Sequence, residues 1–166
     1  MAFSKQINEN GILRYESKLN TFIIPPNLKT LNIGICAFAG SELSKFIIPN
    51  SVNILKIGYG AFFECKKLEQ FILPSNNPEF KNLLIGNLAF AGSKLSSFTV
   101  PDSVRELKIG RRSFKKSNIK QFVVPENVEN LELFPDSFET GCTVKIPSKF
   151  LGKLNFTEAN YTVQYV

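Results

Sequence analysis

The side chains here that could do chemistry are three cysteines, Cys36, Cys65 and Cys142, a scatter of carboxylates, and a run of bases between Arg105 and Lys120. Histidine is absent. That excludes Ser-His-Asp and Cys-His catalysis, histidine-ligated zinc and the usual proton shuttle near neutral pH. The thiols are odd in number and form no CxxC pair, so neither a disulfide framework nor a cysteine-rich metal site is written in them. They read as small buried hydrophobes or spare thiols in a reducing compartment; one pair plus one free thiol is the alternative for a secreted chain. Carboxylate catalysis needs a convergent pair in a pocket. Glu126, Glu129, Glu132, Asp136 and Glu139 are spread instead along strands and turns, as a solvated face. No phosphate-loop, dinucleotide or calcium-loop spacing occurs. The expectation is no catalytic residue, no metal ligand and no cofactor.

What must position these groups is a repeat. The chain lines up on its prolines: KLNTFIIP ends at Pro25, ELSKFIIP at Pro49, KLEQFILP at Pro74, KLSSFTVP at Pro101 and NIKQFVVP at Pro125. A second landmark keeps the same rhythm, since Phe38, Phe62, Phe90, Phe114 and Phe138 are separated by 24, 28, 24 and 24 residues. Three extra residues after Pro74 and one at Lys66-Lys67 account for the long interval, and loop insertions of this kind are what a solenoid tolerates.

Each copy holds two runs of the form apolar-x-x-apolar-x-apolar. The first runs are 19–24, 43–48, 68–73, 95–100 and 119–124; the second are 28–33, 52–57, 80–85, 104–109 and 128–133. Alternation of side chains along a strand sends the fourth and sixth positions of each run into one core. Proline closes the first run, and Gly34, Gly58, Gly86 and Gly110 close the second, so the chain turns at both places. One coil is therefore strand, turn, strand, turn and a short bend carrying Ala-Phe or Ser-Phe. No coil can bury its own apolar edges, so coils must stack at the roughly 4.8 Å spacing of neighbouring strands. Stacking makes one phenylalanine column from Phe38 to Phe138 and a second from Phe22 to Phe122, which together use ten of the 16 phenylalanines. The expected fold is mainly β: a solenoid with terminal caps. Residues 1–17 fit no repeat and read as an N-terminal cap or a frayed segment. Residues 18–147 hold five copies and a degenerate sixth, and 148–166 read as a C-terminal cap in which Tyr161, Val163 and Tyr165 alternate as a last edge strand.

The unit L-x-x-F-x-I-P-x-S-V-x-x-L-x-I-G-x-x-A-F-x-G-S, clearest in residues 43–65 and 95–117, resembles the BspA-like class of leucine-rich repeats. The resemblance covers about residues 18–147 and implies a curved, right-handed stack of coils. It implies a binding protein, often surface-associated or adhesive, and brings no catalytic residues. Where that family commonly has Gly-Cys after the bend, this chain has Ser41, Cys65, Ser93, Ser117 and Gly141-Cys142. Cys65 and Cys142 are thereby expected to be column residues and not reactive thiols.

The third and fifth positions of the first run should point outward, onto the face that leucine-rich repeats usually make concave. The fifth-position column is Ile23, Ile47, Ile72, Thr99 and Val123; beside it run Thr21, Lys45, Gln70, Ser97 and Gln121. A continuous apolar stripe facing water asks for a partner. Two readings stand: β-branched residues favour strands and are tucked away by curvature or a cap, or the stripe docks a protein partner or a second copy. The partner-binding candidates are Ile23, Ile47, Ile72, Thr99, Val123, Lys45, Gln70 and Gln121.

The net charge of +6 and the cluster Arg105, Lys108, Arg111, Arg112, Lys115, Lys116, Lys120 invite a nucleic-acid reading. Adding one repeat places Arg105 over Glu129, Lys108 over Glu132, Arg112 over Asp136 and Lys115 over Glu139, which reads as charge pairing between coils and makes nucleic acid the lesser option. Arg111, Lys116 and Lys120 are left over. The sequons at Asn155 and Asn160 matter only on a secretory route. No secretory signal and no run approaching the roughly 18 apolar residues of a membrane span is visible. The resemblance thus points to the cell surface, while the missing signal points to the cytoplasm and an intracellular scaffold or regulatory subunit.

Overall fold

The computed structural model describes residues 19–166 in full and the backbone of residues 4–7 and 13–16. It is a β-solenoid of about five turns, mainly strand, with a single 3₁₀ turn at Ser148–Phe150 among the described residues. The second runs are strands in every copy: β3 (Thr30–Ile33), β5 (Ile54–Ile57), β7 (Asn82–Ile85), β8 (Glu106–Ile109) and β10 (Asn130–Leu133) form one parallel sheet in the order β3-β5-β7-β8-β10. Their register is that of the repeat, with Leu31, Leu55, Leu83, Leu107 and Leu131 in line. At the amino end, β1 (Ser4–Ile7) and β2 (Leu13–Glu16) pair antiparallel. The rest of the segment 1–17, expected to be a cap or frayed, lies outside the described residues.

The first runs behave less uniformly than expected. They are strands in copies two, three and five, as β4 (Lys45–Ile47), β6 (Gln70–Ile72) and β9 (Gln121–Val123), and in the sixth copy as β11 (Thr143–Ile146). β4 pairs with β6, and β9 with β11, but the runs of copies one and four join no ladder. The first run of copy one lies at the end of the described stack. Copy four comes after the insertion at Pro74 and carries Ser96 and Ser97 where its neighbours have Glu69 and Gln70, Lys120 and Gln121. The final strand β12 (Thr162–Tyr165) pairs parallel with β11 and covers its edge, while Tyr161 is buried with its hydroxyl donating to the Phe134 carbonyl at 2.8 Å.

The core is the pair of phenylalanine columns. Rings along the Phe38 to Phe138 column are nearly parallel, with centroids 5.1–5.3 Å apart. Along the Phe22 to Phe122 column they are 5.5–6.3 Å apart. The columns meet largely edge to face, the arrangement that the ring quadrupole favours. The rings thus lie closer along the bend column than along the first-run column. Phe22, expected in the core, is 41% exposed.

The bend forms a ladder of its own. Phe38, Phe62, Phe90 and Phe114 each donate their N–H to the carbonyl one residue before the phenylalanine of the next coil, at 2.7–2.8 Å. Keeping this ladder while turning the chain puts Cys36, Gly60, Leu88 and Arg112, and then Gly40, Glu64, Gly92 and Lys116, at positive φ. Gly58, Gly86 and Gly110 answer a different need, that of space: a Cβ on Gly86 would lie 2.8 Å from the Gly58 carbonyl carbon and 2.9 Å from both the Ile57 oxygen and the Tyr59 nitrogen. The extra residues of copy three are used structurally. Asn77 is buried, donates to the Val52 carbonyl at 2.8 Å and to Asn53 Oδ1 at 3.0 Å, and accepts from the Glu79 amide.

Candidate functional site

On the first-run face every third- and fifth-position residue of the five copies is exposed. Ile23 is 90% exposed, Ile47 50%, Ile72 39% and Val123 44%, with Thr99 exposed between the last two. Thr21, Lys45, Gln70, Ser97 and Gln121 are exposed beside them. The reading in which curvature or a cap tucks the stripe away is therefore not what the fold does. The pairing of β4 with β6 sets Ile47 against Ile72 and Lys45 against Gln70. Beyond Val123 the same column continues as Lys145 and Gln164, so the stripe turns polar at the carboxyl end. Phe46, Phe71, Phe98 and Phe122, alternating with these residues, are buried. One strand thus serves the core and the surface at once.

The opposite, second-run face differs in chemistry. Its corresponding outward column is Asn32, Lys56, Leu84, Lys108 and Glu132. Of these two faces the first-run face is the more apolar, and Thr99 breaks its column between Ile72 and Val123; Ile35, Tyr59 and Phe63 are exposed separately on the bend. At that break a cleft of about 640 Å³ opens between copies three and four.

Three of the four expected inter-coil charge pairs form: Arg105–Glu129 at 3.6 Å, Lys108–Glu132 at 2.7 Å and Arg112–Asp136 at 3.4 Å. The fourth, Lys115 to Glu139, does not. Glu139 turns to the backbone N–H groups of Lys116 and Thr140, which hold its carboxyl below the usual range. Arg111, expected to be left over, reaches Asp136 at 3.9 Å and lies over the Phe134 ring at 4.9 Å. Side chains one repeat apart meet because stacked coils lie a strand spacing apart. Exposed pairs of this kind contribute only about 0–1 kcal/mol each, but they neutralise the basic coil locally.

The family model for the BspA type leucine rich repeat region matches residues 5–140 in six copies. The chain belongs to that family of leucine-rich-repeat proteins. The match begins within the segment that the sequence alone sets outside the repeats. Among solved structures, the chain is similar to a leucine-rich repeat protein from Bacteroides ovatus ATCC 8483, at 23% identity and a TM-score of 0.49, over 87% of this chain and 45% of that one. The chain thus spans under half the length of that protein. No curated protein matches.

In this BspA-type stack the column after the bend is a packing column. Cys65 is buried, its Sγ donating to the Phe38 carbonyl at 2.9 Å and 3.3 Å from the Ser41 hydroxyl; burial raises its pKa. Burial pushes the Cys142 thiol up to about 11. Cys36 departs from the buried-hydrophobe reading: it is exposed, as a bend residue at positive φ. All three thiols are free. Among the described residues no group of three or more acids or cysteines could hold a metal ion, and no helix is long and apolar enough to cross a membrane. Asn155 and Asn160 are exposed, and the Asn155 side-chain oxygen accepts from the Thr157 amide at 3.0 Å. Leucine-rich repeats of this kind are generally non-catalytic and serve as repeat modules.

Proposed function

We propose that this chain is a non-enzymatic protein-binding module whose partner docks across the first-run face. The observation that carries the reading is the exposed column Ile23, Ile47, Ile72 and Val123 on a single face, flanked by Lys45, Gln70 and Gln121 as polar neighbours able to fix orientation. Thr99 marks the gap in that column. The inter-coil pairing of Arg105, Lys108 and Arg112 with acids supports protein over nucleic acid as the partner. Membership of the BspA-type family supports a surface-associated or adhesive role. A scaffold or regulatory subunit inside the cell is the second reading, favoured by the three free thiols, which suit a reducing compartment.

The test is the double variant Ile47→Asp/Ile72→Asp. Loss of specific proteins from an affinity capture, at an unchanged melting temperature, supports the docking face. An identical set of captured proteins refutes it. Labelling of intact source cells with an impermeant reagent divides the two locations, since a chain left unlabelled cannot act as an adhesin.

A further inference from the structure

The bend edge of the stack carries apolar tips and unpaired charge together. Its ladder fixes which residues are neighbours. The N–H of Cys36 donates to the Tyr59 carbonyl, that of Gly60 to Asn87 and that of Leu88 to Arg111, all at 2.9 Å. Gly40, Glu64 and Gly92 donate likewise to the carbonyls of Phe63, Ala91 and Lys115, at 2.8–2.9 Å. Ile35, Tyr59, Asn87 and Arg111 thus stand in one column, and Ala39, Phe63, Ala91 and Lys115 in the next. At the amino end these columns hold exposed apolar side chains: Ile35 is 75% exposed, Tyr59 50% and Phe63 39%. Two coils further on they are cationic, with Arg111, Lys115 and the adjoining Lys116.

Between each second run and the next first run, the edge holds seven bases against four acids, which is half of the chain's net charge of +6. The acids are already engaged: Glu42 with Lys67, Glu64 with Lys66, Asp136 with both Arg111 and Arg112, and Glu139 with the N–H groups of Lys116 and Thr140. Among the described residues Lys94, Lys115 and Lys116 form no ion pair. The clefts of about 640, 350 and 300 Å³ lie on the two sheet faces, whereas this edge is a row of outward corners.

We propose that the bend edge rests on an anionic lipid bilayer. Ile35, Tyr59 and Phe63 enter the boundary between headgroups and acyl chains, and the free lysines lie against anionic headgroups. A peptide is held in a groove, and a nucleic acid would meet the lysines while leaving Ile35 in water. A bilayer closes around separate apolar side chains on a ridge and answers diffuse positive charge with diffuse negative charge.

The experiment is co-sedimentation of the full chain with vesicles of phosphatidylcholine alone and of phosphatidylcholine with phosphatidylserine. The expected result is binding to the second kind only, lost at high salt through screening. Lys115→Gln/Lys116→Gln should weaken it about tenfold. Tyr59→Ser/Phe63→Ser, which changes no charge, should also weaken it about tenfold at an unchanged melting temperature. Lys94→Gln, at an exposed turn, should weaken it a few-fold and serves if the double lysine variant melts early. No binding to either vesicle, equal binding to both, or wild-type binding by the Tyr59 and Phe63 variant overturns the inference. So does an oligonucleotide bound by a chain that leaves the vesicles in solution, since the lysines are then nucleic-acid contacts. Ile47→Ser/Ile72→Ser, on the first-run face, should bind vesicles as the wild type does. Its loss of binding would move the contact to that face and overturn the assignment to the bend, whereas failure of vesicle binding in the wild type leaves the protein-docking face standing.

Discussion

Replacing Gly86 by alanine should destabilise the protein, while the same replacement at Gly34 should not, although the two residues hold the same place in the repeat. Neither has a positive φ, so backbone conformation does not separate them. Space does. A Cβ at Gly86 meets three backbone atoms of the preceding coil at 2.8–2.9 Å, and a Cβ at Gly34 meets nothing within 4 Å among the described residues. Relief at Gly86 requires two coils to part by several tenths of an ångström against the ladder bond from the Gly86 amide to the Ile57 carbonyl at 2.7 Å. Overpacking of this kind costs about 1–3 kcal/mol. At Gly34, with no described neighbour in the way, reduced freedom of the unfolded chain is the term that acts, and it stabilises by about 0.4–1 kcal/mol. At about 2–4 °C per kcal/mol for a chain of this size, Gly86→Ala should lower the melting temperature by roughly 2–12 °C, and Gly34→Ala should leave it unchanged or raise it slightly. Thermal and urea unfolding read both. Equal melting temperatures for the two variants would refute close approach as the reason for the column. Copy five has lost this glycine and compensates with a side chain. Phe134 takes its place, and its amide donates to the Ser137 hydroxyl at 3.2 Å, which itself donates toward the Gly110 carbonyl at 3.1 Å.

Phe90→Ala removes a fully buried ring that stacks on Phe62 and Phe114 and should cost about 3–5 kcal/mol by unfolding in denaturant. Asn77→Ala leaves the Val52 carbonyl without its side-chain donor and should cost about 1–3 kcal/mol, whereas alanine at the exposed Asn76 beside it should be near neutral. A disulfide reagent at pH 8 should titrate Cys36 alone in the native protein and all three thiols in denaturant. An unfolded thiol ionises near 9.0 while Cys142 keeps its proton to about 11, so the folded state binds protons more tightly. Its contribution to stability is complete below pH 9 and is lost as pH rises toward 11; a Cys142→Ala variant should show a smaller fall across that window.

The candidate face was legible in part. Period-2 alternation sorted Phe46 from Ile47 and Phe71 from Ile72, because a strand that buries one side must present the other. The charge pairing was legible for the same reason, since a repeat of fixed length converts sequence offset into spatial neighbourhood. It failed at Lys115, where the carboxylate of Glu139 found two backbone N–H donors within reach. Arg111 was unforeseen because it is served by an aromatic ring at Phe134 that breaks the repeat. The cleft had a faint signal in the sequence, Thr99 in a column of isoleucine and valine beside the insertion after Pro74. Nothing in the pattern said that the first-run ladder would be interrupted there.

By itself the sequence determined the coil, the two phenylalanine columns, the five-strand sheet of second runs and the want of histidine chemistry, because these arise from composition and from a periodicity repeated five times. The tertiary structure decided what depends on distances between coils. It made Gly58, Gly86 and Gly110 necessary for close approach and not merely for turning. It exposed Phe22 in the first described coil and Cys36 at the bend, and it opened a cleft where one run joins no ladder. Periodicity fixes which residues share a column, but the separation of coils along that column is set by packing and hydrogen bonding, which no single copy contains.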